Sequence, residues 1–214
     1  MTHILPTIVV DNFFETPSLV RDYALSLEFF KGDRGNWPGI RTEFIDRINS
    51  ELFQVIAKNL IANLKGYTGF SELQATFQLV SEIHECGWIH NDDTRFNMGA
   101  VIFLNPEPPV DTGFSIYESL VNPGSFYWEQ HQKMKEEYFS KFQKQVETED
   151  VEEIKKYTEY RDKHNSTYKE TIKFQNKFNR ALIFSSTKDH AAQNFFGTTK
   201  EDSRLTLVCF GKAI

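Results

Sequence analysis

Hydrophobic and polar positions change period along the chain, and the changes divide it. Thr7-Ile8-Val9-Val10 is a short β-branched run and predicts a strand. Thr16-Pro17 offers a capping hydroxyl ahead of a proline at the first helical position. Leu19, Val20, Tyr23, Ala24 and Leu27 recur behind it at helical spacing. Residues 32–39 read as a loop broken by Gly35, Pro38 and Gly39. A second helix is predicted from Ile45, Ile48, Leu52, Val55, Ile56 and Leu60, which share one face.

From Leu73 the period becomes two. Leu73, Ala75, Phe77 and Leu79 alternate with Gln74, Thr76, Gln78 and Val80, the pattern of a half-buried strand. Further apolar runs follow at residues 99–104, 113–117, 181–184 and 205–210. Asn105-Pro106, Pro108-Pro109 and Asp111-Thr112-Gly113 punctuate them as turns. Such a series predicts a mainly β fold with flanking helices, a sandwich or jelly roll. Residues 127–179 interrupt it with Lys, Glu, Gln and Tyr and little β signal. Met134, Tyr138, Phe139 and Phe142 fall at helical spacing there, as do Val151, Ile154 and Tyr157. The expectation is one domain over residues 1–214 with a helical insertion at about 127–179. That insertion is either a solvated excursion or a lid over a binding site.

Composition narrows the function classes. The 214 residues suit a single domain, and 20 Phe, 8 Tyr and 3 Trp are ample for a core. No apolar run approaches the roughly 20 residues that span a bilayer. Met1–Pro6 lacks the basic-then-apolar order of a secretory signal. A soluble, cytoplasmic protein is therefore expected. A net charge of -6 gives nucleic acid no general attraction. Cys86 and Cys209 are too few for a disulfide framework and wrongly spaced for zinc, so two reduced thiols are expected.

The chemistry concentrates in Trp88-Ile89-His90-Asn91-Asp92, with His190 and Arg204 far downstream. In an extended segment His90 and Asp92 point the same way and Asn91 points away. Asp93 has the wrong parity for a ligand and is better placed to orient one. Two imidazoles and one carboxylate can bind one face of Fe(II) and leave the other positions open. His190 follows the strand-like residues 181–184, so a rolled sheet can bring it to the pair. Arg204 opens the last strand and shares a face with Thr206. A guanidinium fork beside a hydroxyl suits the distal carboxylate of a keto diacid. Of the other histidines, His84 faces the core or the pocket, while His3, His131 and His164 are expected at the surface. Trp37-Pro38-Gly39-Ile40-Arg41 reads as an aromatic packed under a Pro-Gly turn, with substrate contact as the alternative. Tyr117, Tyr127 and Trp128 are candidates for the pocket mouth or the core.

These residues resemble the iron(II)/2-oxoglutarate-dependent dioxygenases. The resemblance runs over about residues 73–117 and 179–210. His90-Asn91-Asp92, Val101-Ile102-Phe103-Leu104-Asn105, Thr112-Gly113, His190 with Phe196-Gly197, and Arg204-Leu205-Thr206 carry it. Their order is similar to that of the prolyl-hydroxylase-like branch. Val9-Val10-Asp11-Asn12-Phe13-Phe14 is similar to the opening of its small phage and marine bacterial members, which extends the expected location to an infected host cell. The resemblance implies a double-stranded β-helix with Fe(II) on His90, Asp92 and His190. It implies 2-oxoglutarate on Arg204, helped by Thr206, with O2 as the second cosubstrate. Gln78 and Asn97 are candidates for a further cosubstrate contact. The implied reaction hydroxylates an unactivated C–H bond of a small-molecule or peptide substrate, a prolyl or other amino-acid residue among them, and yields succinate and CO2. The intact Asp92 favours hydroxylation over halogenation. Two other readings stand beside it: a non-catalytic jelly-roll binding or structural protein, and a zinc hydrolase using the same ligands.

Overall fold

A computed structural model of the chain describes residues 5–31, 37–122, 124–125, 129, 133 and 151–214. The first half holds β1 (Ile8–Val10), α1 (Pro17–Ser26), β2 (Ile40–Arg41), α2 (Ile45–Ile48), α3 (Ser50–Ala62) and β3 (Phe70–Val80). Then come β4 (Met98–Phe103), β5 (Phe114–Ser119), α4 (Val151–Asn165), β6 (Tyr168–Phe174), β7 (Ala181–Ser185), β8 (His190–Ala192) and β9 (Arg204–Ala213). The strands form a six-stranded sheet in the order β1-β7-β4-β9-β3-β2 and a three-stranded sheet in the order β6-β5-β8. Every pairing is antiparallel.

Parity assigns the two faces of the large sheet. Ala75, Phe77 and Leu79 of β3, Ala100 and Ile102 of β4, and Leu205, Leu207 and Cys209 of β9 join one core. Val20 and Ala24 of α1 and Ile56 and Leu60 of α3 complete it from the helical side. Burying each such large side chain is worth about 1.5–3 kcal/mol, so this layer anchors the sheet. The opposite face meets the small sheet through Val101, Phe103, Leu182 and Phe184 against Phe114 and Ile116. The alternation in β3 is thus not that of a half-buried strand. Its last six residues are all buried, and Gln78 lines the cleft on the face opposite Ala75, Phe77 and Leu79.

Three local expectations need correction. The Thr16 side chain makes no capping hydrogen bond, so Pro17 alone marks the start of α1 through its fixed φ. The second helix is two helices, broken at Asn49, whose side chain accepts from the Leu52 N–H at 3.0 Å to cap α3. The insertion is not wholly helical: α4 carries Val151, Ile154 and Tyr157, but Tyr168–Phe174 is strand β6 on the edge of the small sheet. Its Lys-Glu-Thr-Ile-Lys interior is exposed, and charges on an edge strand hide the β signal. The predicted helix at Met134, Tyr138, Phe139 and Phe142 lies outside the described residues. Among the described residues no helix is long and apolar enough to cross a membrane.

Candidate metal centre

His90, Asp92 and His190 each present one ligand atom, and the three atoms lie within 4.8 Å of one another. His190 opens β8, and its backbone N–H and C=O bond those of His90 at 2.8 and 3.0 Å. That backbone bridge docks the His90 segment on β8 and brings the two imidazoles together, with ring centroids 4.4 Å apart. The Asp92 N–H donates to Ser186 O at 2.9 Å, which fixes the carboxylate beneath them. Oδ1 of Asp92 lies 3.7 Å from Nε2 of His90 and 3.6 Å from Nε2 of His190. These are too long for hydrogen bonds and suit three donors turned toward one cation.

The polar environment favours that arrangement. Nδ1 of His90 lies 2.8 Å from Trp88 O, and Nδ1 of His190 lies 2.7 Å from Lys188 O. A carbonyl only accepts, so each Nδ1 carries the proton and each Nε2 presents a lone pair. Burial pushes the His190 imidazole down to about 4, holding it neutral. Burial raises the Asp92 carboxyl, against the opposing pull of His90 and Arg41. Its Oδ2 is buried with no hydrogen-bond partner among the described residues. A buried carboxylate oxygen without a hydrogen-bond partner among the described residues, beside the Nε2 atoms of two imidazoles, fits a divalent ion. Gly99 leaves the room: a Cβ there would stand 2.9 Å from Asp92 Oδ2 and 2.7 Å from the Phe184 ring.

A cleft of about 830 Å³ opens beside the three ligands, between the sheets. Arg204 and Thr206 of β9 line it and are 3% and 0% exposed. Nε and Nη2 of Arg204 and Oγ1 of Thr206 have no hydrogen-bond partner among the described residues. Burial lowers the Arg204 guanidinium to about 10. Asp202 bonds the Thr198 and Thr199 N–H groups instead of pairing with Arg204. A buried guanidinium fork beside a free hydroxyl has the chemistry of a carboxylate clamp.

Other candidates divide. Gln78 lines the cleft and donates from Nε2 to Pro38 O at 2.8 Å. Asn97 is spent elsewhere: its side chain bonds both N and O of Ala213. His84 is not with the ligands, since its Nε2 accepts from the Gly39 N–H at 3.2 Å. Asp93 faces Arg95 at the surface. Tyr117 does not line the cleft, and Tyr127, Trp128, His3 and His131 lie outside the described residues. His164 corrects the expectation of exposure: it is 2% exposed, stacks on Trp88 at 4.2 Å, and its Nε2 lies 2.7 Å from Ile89 O.

The structure favours the alternative reading of one group and adds a second that sequence reasoning missed. Trp37 and Arg41 both line the cleft, with the guanidinium 4.0 Å over the indole, so the aromatic does not simply pack under its turn. Arg161, His164 and Asn165 of α4 bond the backbone of residues 84–89, just ahead of His90. The cation in the first group was a usable signal; polar residues in a charge-rich helix gave none.

Comparison with known proteins agrees with this architecture. A family model described as a family of unknown function, DUF6445, matches residues 2–210. The chain belongs to the DUF6445 family. Among curated proteins nothing matches this DUF6445 sequence. HygX from Streptomyces hygroscopicus, solved with nickel and 2-oxoglutarate bound, superposes with a TM-score of 0.57 at 11% identity, over 98% of this chain and 84% of that one. A prolyl hydroxylase from Trichoplax adhaerens, in complex with a hypoxia inducible factor oxygen degradation domain peptide fragment, gives 0.50 at 13% identity, over 96% and 83%. This DUF6445 member therefore has the jelly-roll, double-stranded β-helix fold of those proteins.

Proposed function

We propose that this protein is an Fe(II)- and 2-oxoglutarate-dependent oxygenase that hydroxylates an unactivated C–H bond of a small-molecule or peptide substrate. One observation carries the reading: three convergent ligand atoms stand beside a buried, unpartnered guanidinium and hydroxyl in one cleft. His90, Asp92 and His190 would hold the metal on one face, leaving the cleft side open. Arg204 would take the distal carboxylate of 2-oxoglutarate in a two-pronged bond, with Thr206 donating beside it. Bound there, Fe(II) and 2-oxoglutarate supply activation of O2 and oxidation of the C–H bond, with succinate and CO2 as coproducts. The chain's own part is to bind, orient and exclude water. The Trp88 and Lys188 carbonyls keep both Nε2 lone pairs on the metal side. Phe114, Phe184 and Val208 wall the cleft with apolar surface and limit escape of a reactive oxidant.

The bound 2-oxoglutarate and nickel of HygX support this reading, and the peptide of the Trichoplax enzyme supports a prolyl or other amino-acid residue as one substrate class. A zinc hydrolase would give Arg204 and Thr206 no task, and a purely structural jelly roll would leave two buried polar groups unsatisfied without reason.

The test is succinate formation, followed by NMR, with Fe(II), 2-oxoglutarate and O2. Wild type turns over slowly without substrate. His90→Ala makes no succinate. Arg204→Ala needs roughly 10- to 100-fold more 2-oxoglutarate, the loss of a charge-assisted bond pair. Equal behaviour of the three proteins, or turnover that continues without O2, overturns the proposal.

A further inference from the structure

The cleft contains a second guanidinium that the reading above does not use. Arg41 ends β2, and the sheet register places it beside Gln78 of β3, which pairs in turn with Thr206 of β9. Arg41 is therefore two strands from the cosubstrate clamp, about 10 Å across the sheet. Its guanidinium lies 4.0 Å over the Trp37 ring and 5.8 Å from the Phe210 ring. Nε is buried and has no hydrogen-bond partner among the described residues, nor does any described carboxylate form an ion pair with the group. The residue is half-buried, and its Nε has given up water without gaining an acceptor, a position that favours a negative guest.

The loop that presents this pair is held firmly. Gly39 has φ +77, and a Cβ there would run into Leu79 O. The Gly39 N–H donates to His84, and Gln78 donates to Pro38 O. These bonds hold the turn between Trp37 and Arg41.

Charge balance points to the occupant. Among the described residues lining the cleft, Arg41, Asp92 and Arg204 carry the formal charges. A doubly charged ferrous ion and Arg204 are offset by Asp92 and the two carboxylates of 2-oxoglutarate. Arg41 is left over. We propose that Trp37 and Arg41 form a substrate subsite for a carboxylate, so that the substrate is an organic acid that offers its free carboxyl group to Arg41 and its apolar body to Trp37 and Phe210. This inference rests on the oxygenase reading. The carboxylate has two sources, since 2-oxoglutarate itself could reach Arg41 in place of the substrate.

Benzoate and its neutral counterpart benzamide separate the possibilities by ligand-observed NMR. The protein is loaded anaerobically with Fe(II) and saturating 2-oxoglutarate, and 2-oxoglutarate affinity is measured separately. Benzoate is expected to bind wild type and benzamide to fail. Arg41→Gln should weaken benzoate roughly tenfold or more, with 2-oxoglutarate affinity unchanged. Arg41→Lys keeps the charge, loses the fork, and should fall between the two. Arg204→Gln should instead weaken 2-oxoglutarate. Loss of 2-oxoglutarate affinity in Arg41→Gln would make Arg41 a cosubstrate group and overturn the inference. Equal binding of benzoate and benzamide, or of benzoate to wild type and both Arg41 variants, would overturn it while leaving the oxygenase reading intact. Failure of wild type to bind 2-oxoglutarate would remove both.

Discussion

His190 and the His90-Asp92 pair meet at one point but are held there by different means. His190 belongs to regular structure. It pairs with Ile116 across β5 and β8, and Phe114 and Phe184 pack its ring at 5.2 and 4.6 Å. His90 and Asp92 lie outside every named strand, on a segment that follows a 3-10 turn at Glu82–His84. That segment is tied by side chains from α4. Asn165 accepts from the Ile89 N–H and donates to Gly87 O, both at 3.0 Å. Arg161 donates to His84 O at 2.8 Å and to Glu85 Oε2 at 2.7 Å. One half of the centre inherits its geometry from a sheet; the other borrows it from an inserted helix. The insertion is therefore more than a solvated excursion, because its last two turns hold the ligand-bearing segment.

The sharpest way to separate the halves is to loosen each alone. Phe114→Ala empties space under the His190 ring and between the two sheets. Large-to-small changes at a buried Phe cost about 3–5 kcal/mol, so stability and metal affinity should fall together. Urea unfolding beside a metal titration checks this; destabilisation with wild-type metal affinity would mean that the sheet does not set His190.

The α4 tethers should behave differently. Arg161→Met keeps the buried volume but loses the bonds to His84 O and Glu85, and Asn165→Ala releases Gly87 and Ile89. Partners that orient ligands are typically worth 10- to 100-fold in metal affinity. Each variant is expected to weaken Fe(II) or Ni(II) binding by roughly tenfold, read by calorimetry. The d–d spectrum of bound Ni(II) should broaden, a change that simple loss of stability would not produce. Wild-type affinity and spectra in both variants would place the control of His90 and Asp92 elsewhere.

This contrast also explains what was legible in the chain. The pairing of His90 with Asp92 followed from the parity of an extended segment, although neither lies in a named strand, and the arrival of His190 followed from strand order in a rolled sheet. Arg204 and Thr206 shared a face by the same parity. Strand β6 was hidden because an exposed edge carries Lys and Glu where a core strand carries Val and Ile. The tethers from α4 were invisible for a different reason: each spans 75 to 78 residues of sequence, and Arg, His and Asn in a charged helix look like solvated surface. Arg41 was visible as a residue, but its place in the cleft depends on a two-residue strand pairing with β3, which no local pattern announces.

The smallest expected effect lies at the turn that joins the tethered segment to the Arg41 side of the cleft. His84 gives its backbone O to Arg161 and its ring Nε2 to the Gly39 N–H, so one residue touches both α4 and the Arg41 loop. Burial first, and the Arg161 charge second, push its imidazole down to about 4. Accepting from Gly39 requires the neutral ring. The unfolded chain takes up the proton near pH 6.5, the folded chain only near 4, so the unfolded state binds more protons between those values. Stability contributed by the neutral ring is complete above pH 6.5 and lost as pH falls toward 4, at up to about 1.4 kcal/mol per pH unit. From pH 7 to pH 5 the loss should be on the order of 1–2 kcal/mol. His84→Gln retains an acceptor without the titration, so its stability should fall less over the same interval. Denaturant unfolding of both proteins at the two pH values decides it; parallel losses would show that the His84 ring does not titrate with folding and that the turn is held by Arg161 alone.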